Sequence, residues 1–272
     1  MVRVIRFTLS IFMILLTLSA QDSSKVNYTR LSIAAGSAAV ISTGSYLVLQ
    51  NAWWKGTYEP FQFDDGSDMK YAKNMDKIGH FYGGYVTHDA VYNSLIWSNV
   101  EHEKALWYSF CTSAFVQLMI DVKDGFAPVY GFSTWDVVSG TAGAGYRTLQ
   151  LKYPALQDYK IKMSYYCKEK DDGEEFSWDA EYLIEDYPGQ TYWLTFPVKY
   201  FPQWLDLAAG LSIDQYYDEY QAYLSFDIDL EKLVLPVDNK TLSTIAHYLN
   251  FLKVPAPAIK FQPDLKAYWI YY

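Results

Sequence analysis

The sequence predicts an α+β fold: an N-terminal bundle of about four apolar helices, then a small antiparallel β-sheet or hairpin region. Three observations lead there. Apolar and amphipathic stretches of helical length fill the chain to about residue 151. From about residue 190 the hydrophobic period becomes two, as in strands. Between them lies a charged stretch, "KEKDDGEEFSWDAE" at 168–181, that reads as a solvated loop. The expected organisation is a signal peptide over 1–20, a helical bundle with polar Asp/His stripes over 21–167, and a β-rich region over 168–272 packed on the bundle.

The first segment, "MVRVIRFTLSIFMILLTLSAQ", carries Arg3 and Arg6, an apolar run from Phe7 to Leu18 and small residues ending at Ala20. That is a secretory signal layout with cleavage after Ala20, so the mature chain is expected outside the inner membrane, in the periplasm or at the outer membrane. No cysteine follows the cleavage point, so lipid attachment there has no acceptor. Cys111 and Cys167 make no disulfide framework and read as free thiols.

Leu31 to Leu49 is a stretch of 19 uncharged residues rich in Ala, Gly and Ser. It just reaches the length of a membrane span, and its small residues let helices approach closely. It is expected buried in the bundle or peripheral to a membrane, with spanning as the alternative. Three more helices are predicted at about 75–97, 103–123 and 133–151, the last capped by Ser133 and stopped by Pro154. In the second half "TYWLTFPV", "WLDLAAGLSID" and "AYLSFDIDLEKL" read as strands, the latter two as a hairpin through "DQYYDEY". A short amphipathic helix follows, with Asp238 as cap and Leu242, Ile245, Leu249 and Leu252 inward; "PAPAIKF" and "KAYWIYY" close the chain as extended segments. Three to five strands are fewer than the eight of a small membrane barrel, so a sheet packed on helices is expected.

Composition narrows function. Of 272 residues 26 are Tyr and 9 are Trp, residues suited to sites apolar at one end and wet at the other, including membrane interfaces. A membrane surface or envelope component is therefore the expected partner. A net charge of −9 without a basic stripe argues against nucleic acid. G-x-S-x-G, phosphate-loop, Rossmann and H-E-x-x-H patterns are all missing.

The chemistry-bearing residues fall on stripes. Asp76, His80, Gly83 and Gly84 share one helix face. Gln117, Asp121 and Asp124 share another, and Asp136, Gly140, Gly143 and Arg147 a third. Carboxylates in an apolar bundle are costly unless paired, hydrogen-bonded or metal-bound. Three readings stay open. Asp76, His80, Asp121, Asp124 and Asp136 are candidate catalytic residues, with His80 as general base oriented by Asp76. His80, Asp76 and Asp121 are candidate ligands of a divalent metal such as Zn, Mn or Fe. Or the acids pair with His80, Lys77 and Arg147 in a structural network, with Asp136 favouring a helix dipole and Asp124 a turn. His88 and Asp89 read as solvent-facing.

The stretches "MDKIGHFYGGY", "DVKDGFAPVYGFSTWDVVSGTAGAGY", "EDYPGQTYWLTF" and "FPQWLDLAAGLS" together resemble the uncharacterised family of predicted periplasmic lipoproteins, domain of unknown function 2279. The resemblance covers roughly 30 to 260. It implies an envelope location and brings no reaction or cofactor. By it, Asp76, Lys77 and His80 match a D-K-x-x-H element, Asp124 and Gly125 a D-G element, and Gly131, Ser133 and Asp136 a G-x-S-x-x-D element. Asp121 stands where the family is expected to carry a glutamate, and the missing lipobox cysteine departs from the lipoprotein label. Two functions follow: an envelope structural or binding protein, or an envelope hydrolase or transferase acting on a lipid, glycan or peptide.

Overall fold

The computed structural model describes residues 25–52, 54, 58–165, 186–234 and 237–271. The expected signal peptide, Cys167 and the charged stretch 168–181 lie outside the described residues. The fold is α+β, helices first and a six-stranded antiparallel sheet after them.

Helix α1 spans Tyr28–Ala52, α2 Met75–Trp97, α3 His102–Asp124 and α4 Thr134–Lys152. The last three pack on one another. Their ends follow local chemistry: Ser133 caps α4 by accepting the Asp136 N–H at 3.3 Å, and Pro154 follows its last turn. Close packing of α2 on α4 needs small residues. A Cβ on Gly84 would overlap the carbonyl of Gly140, and one on Gly143 would overlap the carbonyl of Phe81.

α1 differs from the expectation of a buried helix. Over Tyr28–Gln50, a stretch long and apolar enough to cross a membrane, only Arg30 is buried. It is tethered at its two ends, where Arg30 Nη1 donates to the Trp97 carbonyl at 3.1 Å and Lys123 Nζ donates to Tyr46 Oη at 3.3 Å. α3 also has the length and composition of a membrane span, but a third of it is covered by its neighbours.

The strands are β1 Lys160–Tyr165, β2 Gln190–Pro197, β3 Leu205–Ile213, β4 Tyr220–Ile228, β5 Ala256–Gln262 and β6 Lys266–Tyr271, hydrogen-bonded in chain order. β1 arises in the stretch read as the end of the helical region. The β3–β4 turn is held by Asp214, whose Oδ1 accepts from the N–H of Asp218 and Glu219 at 2.7 and 2.8 Å. Between β4 and β5 lie short helices α5, Leu230–Val234, and α6, Lys240–Leu249. Asn239 rather than Asp238 caps α6, by accepting from Leu242 N–H at 3.1 Å.

Successive strand residues alternate faces, and the alternation runs opposite to that of a water-soluble sheet, which buries its apolar side. The covered face carries Lys162, Ser164, Thr191, Thr195, Asp206, Ser225 and Asp227 around an aromatic cluster of Trp193, Tyr223 and Tyr271. There Lys162 Nζ lies 2.6 Å from both Asp227 Oδ2 and Asn250 Oδ1. The open face carries Leu194, Leu224, Phe226, Ile259 and Phe261, and Trp269 is 90% exposed. A groove of about 300 Å³ on this open face is lined by Leu207, Leu224, Phe226, Pro257, Ile259 and Trp269.

The helices repeat the inversion. Gln117, Asp121, Asp136 and Gln150 are buried, whereas Trp107, Phe115 and Met119 of α3 and Trp135, Val138 and Leu149 of α4 are exposed. On α6, Leu242 and Leu249 point out, as does Leu252 beyond it, and Ala246 points in, which corrects the inward apolar face expected there. The same inversion corrects His88 and Asp89: both are fully buried.

Candidate functional site

The site begins at an unusual backbone turn. Ala72, Lys73 and Asn74 take φ of 44°, 48° and 63°, the left-handed region that L residues rarely enter. Sheet and turn are locked together: Tyr220 Oη donates to the Lys73 carbonyl at 2.7 Å, and Ala72 and Met75 pack on Tyr192 and Ile213. This turn aims the first turn of α2 at the first turn of α4.

Lys77 is the centre of what meets there. Its Nζ lies 3.0 Å from Asp76 Oδ2 and 2.9 Å from Asp136 Oδ1, and it also pairs with Asp68. The Ser133 hydroxyl donates to the same Asp68 oxygen. Burial works against the Lys77 ammonium, but its bonds to Asp68 and Asp136 outweigh that and hold its pKa above the ordinary lysine range. Asp68, Asp76 and Asp136 bring carboxylate oxygens within 4.8 Å of one another, the spacing of a metal site. Lys77, paired with all three, supplies the positive charge there.

His80, one turn further along α2, faces α3 and α4. Its Nδ1 lies 3.0 Å from Gln117 Oε1 and its Nε2 4.0 Å from Asp136 Oδ2. An amide oxygen only accepts, so Nδ1 is the donor. The residue that orients His80 is thus Gln117, not Asp76 as the i, i+4 spacing implied. Asp124 Oδ1 accepts from Trp54 Nε1 at 2.6 Å. Asp121 is 1% exposed, and among the described residues its Oδ2 has no hydrogen-bond partner.

Burial dominates the electrostatics. Burial and then the charge of Asp136 push the Asp121 carboxyl up to about 9, so it holds a proton at neutral pH. The same two causes push Asp76 up to about 6 against the opposing charge of Lys77. Burial pushes Asp124 up to about 6 although the Trp54 hydrogen bond opposes it. The arrangement therefore offers an ammonium locked by carboxylates, an oriented imidazole and a neutral carboxyl in one place.

The sequence-predicted candidates Asp76, His80, Asp121, Asp124 and Asp136 all contribute to this centre. Sequence reasoning missed Asp68 and Trp54, which lie in the irregular 53–75 connection where no periodicity marks a face. It also misassigned Arg147. That residue donates from Nε and Nη2 to Asp89 Oδ1 at 2.8 and 2.6 Å, in a second network between the helices and the sheet region. There His247 Nε2 lies 2.7 Å from Asp89 Oδ2, and its Nδ1 lies 2.7 Å from Glu231 Oε1. Lys160 Nζ completes the chain 2.6 Å from Glu231 Oε2. Burial disfavours the His247 imidazolium, but Asp89 and Glu231 outweigh burial and raise it to about 9. Cys111 is an exposed free thiol, as expected.

Comparison with curated proteins and with solved structures found no match. A family model does match, over a shorter stretch than the sequence resemblance implied: the C-terminal motifs fall outside it. The matched stretch holds α2, α3, α4 and, Trp54 apart, the residues of the Lys77–His80 centre. The description of that family as lipoprotein is in tension with the missing cysteine after Ala20. Residues 63–152, about a third of the chain, are similar to the family described as predicted periplasmic lipoprotein (DUF2279).

Proposed function

We propose that the protein is a membrane-associated component of the cell envelope, at the periplasm or outer membrane, acting as a structural or binding protein around its buried Asp/His/Lys centre. The carrying observation is the inverted polarity of both halves. Charged and hydroxyl side chains fill the covered faces, while Leu194, Phe226, Ile259, Trp269, Trp107 and Phe115 face out. Apolar-out, polar-in alternation is the pattern of strands that lie against lipid. Exposed apolar surface of this extent marks contact with a membrane or a partner. α1, 25 residues long and thus about 37 Å, adds an apolar rod with no buried stretch over Tyr28–Gln50. Attachment is through these side chains.

Flotation tests this reading. Purified protein mixed with phospholipid vesicles rises with them in a density gradient, and the double variant Phe226→Asp/Ile259→Asp loses most of that binding. Wild-type protein that stays at the bottom of the gradient overturns membrane association.

A second reading is an envelope hydrolase or transferase on a lipid, glycan or peptide. It is favoured by one observation: a protonated carboxyl at Asp121 shares a centre with the oriented imidazole of His80, a pairing of acid and base roles. Turnover of a labelled envelope substrate by wild type and its loss in His80→Ala would establish it; equal turnover in both excludes the assignment.

A further inference from the structure

We propose that the C-terminal end of α3 is a headgroup site for an anionic phospholipid. The Lys123 ammonium and the Tyr58 hydroxyl bind the lipid phosphate, and the exposed apolar face of α3 takes its acyl chain. The proposal rests on the reading that this protein contacts a membrane, and it names the lipid that one part of the surface selects.

The first argument is an ammonium without a counter-charge. Lys123 Nζ lies over the rings of Tyr58, Tyr46 and Trp54, at 4.0, 5.4 and 5.4 Å from their centroids. It donates to Tyr46 Oη at 3.3 Å and also to Tyr58 Oη. Among the described residues no carboxylate pairs with it. The adjacent Asp124 is engaged elsewhere, its Oδ1 accepting from Trp54 Nε1 at 2.6 Å. A cation in the last turn of α3 suits the helix dipole. The dipole does not call for three rings around that cation, whereas Lys, Tyr and Trp gather where an apolar surface meets water at the level of lipid headgroups.

The second argument is the set of donors. An ammonium carries three N–H groups; the two phenols accept two of them, which leaves one. Tyr58 accepts from Lys123, so its own O–H proton is left to donate, and its side chain is exposed. A charged N–H beside a phenol O–H suits the charge-assisted hydrogen bonds that phosphate oxygens accept.

The third argument is placement. Phe115, Met119 and Lys123 follow one another at intervals of one turn on α3, and both apolar members are exposed. The rise from Phe115 to Lys123 is about 12 Å, within the ~15 Å that one leaflet contributes to a bilayer's hydrocarbon core. A phosphate at Lys123 therefore lets the acyl chain of the same lipid lie along Met119 and Phe115. Free phosphate would leave that stripe uncovered, which favours the lipid as the source. The chain as a whole carries a net charge of −9, so its overall field repels an anionic surface and a preference for one has to come from a local site.

The test floats the full chain with vesicles of phosphatidylcholine alone and of phosphatidylcholine mixed with phosphatidylglycerol. The expected result is binding to the mixed vesicles at least about fivefold tighter, the effect of one basic side chain near an anionic surface. Lys123→Gln is expected to abolish that preference while still floating with phosphatidylcholine. Lys123→Arg is expected to keep it, and Tyr58→Phe, which retains the ring, to reduce it. Circular dichroism of each variant shows that it is folded, and Tyr58→Phe keeps the test valid if Lys123→Gln does not fold. A preference unchanged in Lys123→Gln or in Tyr58→Phe overturns the site. Inorganic phosphate that abolishes the preference when titrated in would show a receptor for the free ion and overturn the lipid. Wild type that floats equally with both vesicles defeats this proposal alone, and wild type that floats with neither defeats membrane association.

Discussion

Gly84 of α2 and Gly140 of α4 meet backbone to backbone: a Cβ on Gly84 would fall on the Gly140 carbonyl oxygen. This approach brings α4, with Asp136 in its first turn, against α2, with Lys77 in its first turn and His80 in the next. Gly83 is less constrained, since a Cβ there would only touch Gln117 at 3.4 Å. Gly84→Val is therefore expected to force the helices apart and cost about 1–3 kcal/mol or more, as overpacking does. Gly83→Ala is expected to change stability far less. Urea denaturation midpoints of the two variants check the contrast, and equal midpoints would count against the close approach.

Lys77 is the counter-ion of Asp68, Asp76 and Asp136, and all four are largely buried. Lys77→Met leaves buried carboxylates without a partner, a change that costs about 3–5 kcal/mol. The expected outcome is a large fall in the denaturation midpoint, with partial recovery when Asp136→Asn is added. A midpoint unchanged in Lys77→Met would show that the cluster is neutralised in some other way.

Buried His88 and half-buried His247 have opposite pH signatures. The His247 pKa is raised from 6.5 to about 9, by Asp89 and Glu231 acting against burial. Its stabilisation is therefore complete below pH 6.5 and lost as pH rises through about 9. Burial, then the charge of Arg147, depress the His88 pKa from 6.5 to about 4, so its contribution is present above pH 6.5 and lost as pH falls through about 4. Each shift corresponds to roughly 3 kcal/mol at most. The difference in stability between wild type and His247→Gln should shrink from about pH 6.5 to pH 9, and that between wild type and His88→Gln should shrink from about pH 6.5 to pH 4. Chemical denaturation across that range reads both; a difference independent of pH would contradict the assigned protonation states.

Outer-face variants should behave unlike ordinary surface variants. In water-soluble proteins, surface substitutions usually stay within about 0.5 kcal/mol. Trp269→Glu, at a side chain 90% exposed, is expected to leave the denaturation midpoint in detergent unchanged while reducing vesicle binding several-fold. A variant that floats as well as wild type would remove the sheet's open face from the membrane contact.

Much of this architecture was legible in the chain. The helix expected at about 75–97 is Met75–Trp97, and the Ser133 cap is in place. The expected strands became β2, β3 and β4, and the extended closing segments became β5 and β6. Periodicity carries that information directly. It tells which residues share a face but not which face is covered, and the usual rule that apolar residues go inward fails here. That is why His88 and Asp89 were placed in solvent, and why Leu242, Leu249 and Leu252 were placed inside. The polar stripes named Asp76, His80, Asp121, Asp124 and Asp136. The partners Asp68 and Trp54 come from irregular backbone, and Glu231 and His247 from far along the chain; long-range pairing leaves no local signal.

Alkaline carbonate extraction of envelopes from cells expressing the full chain tests the central claim most directly, because it strips proteins held only by surface contacts. The inverted polarity of the sheet and helices predicts that the protein stays in the membrane pellet and leaves it only with detergent. Quantitative release into the carbonate supernatant would contradict it.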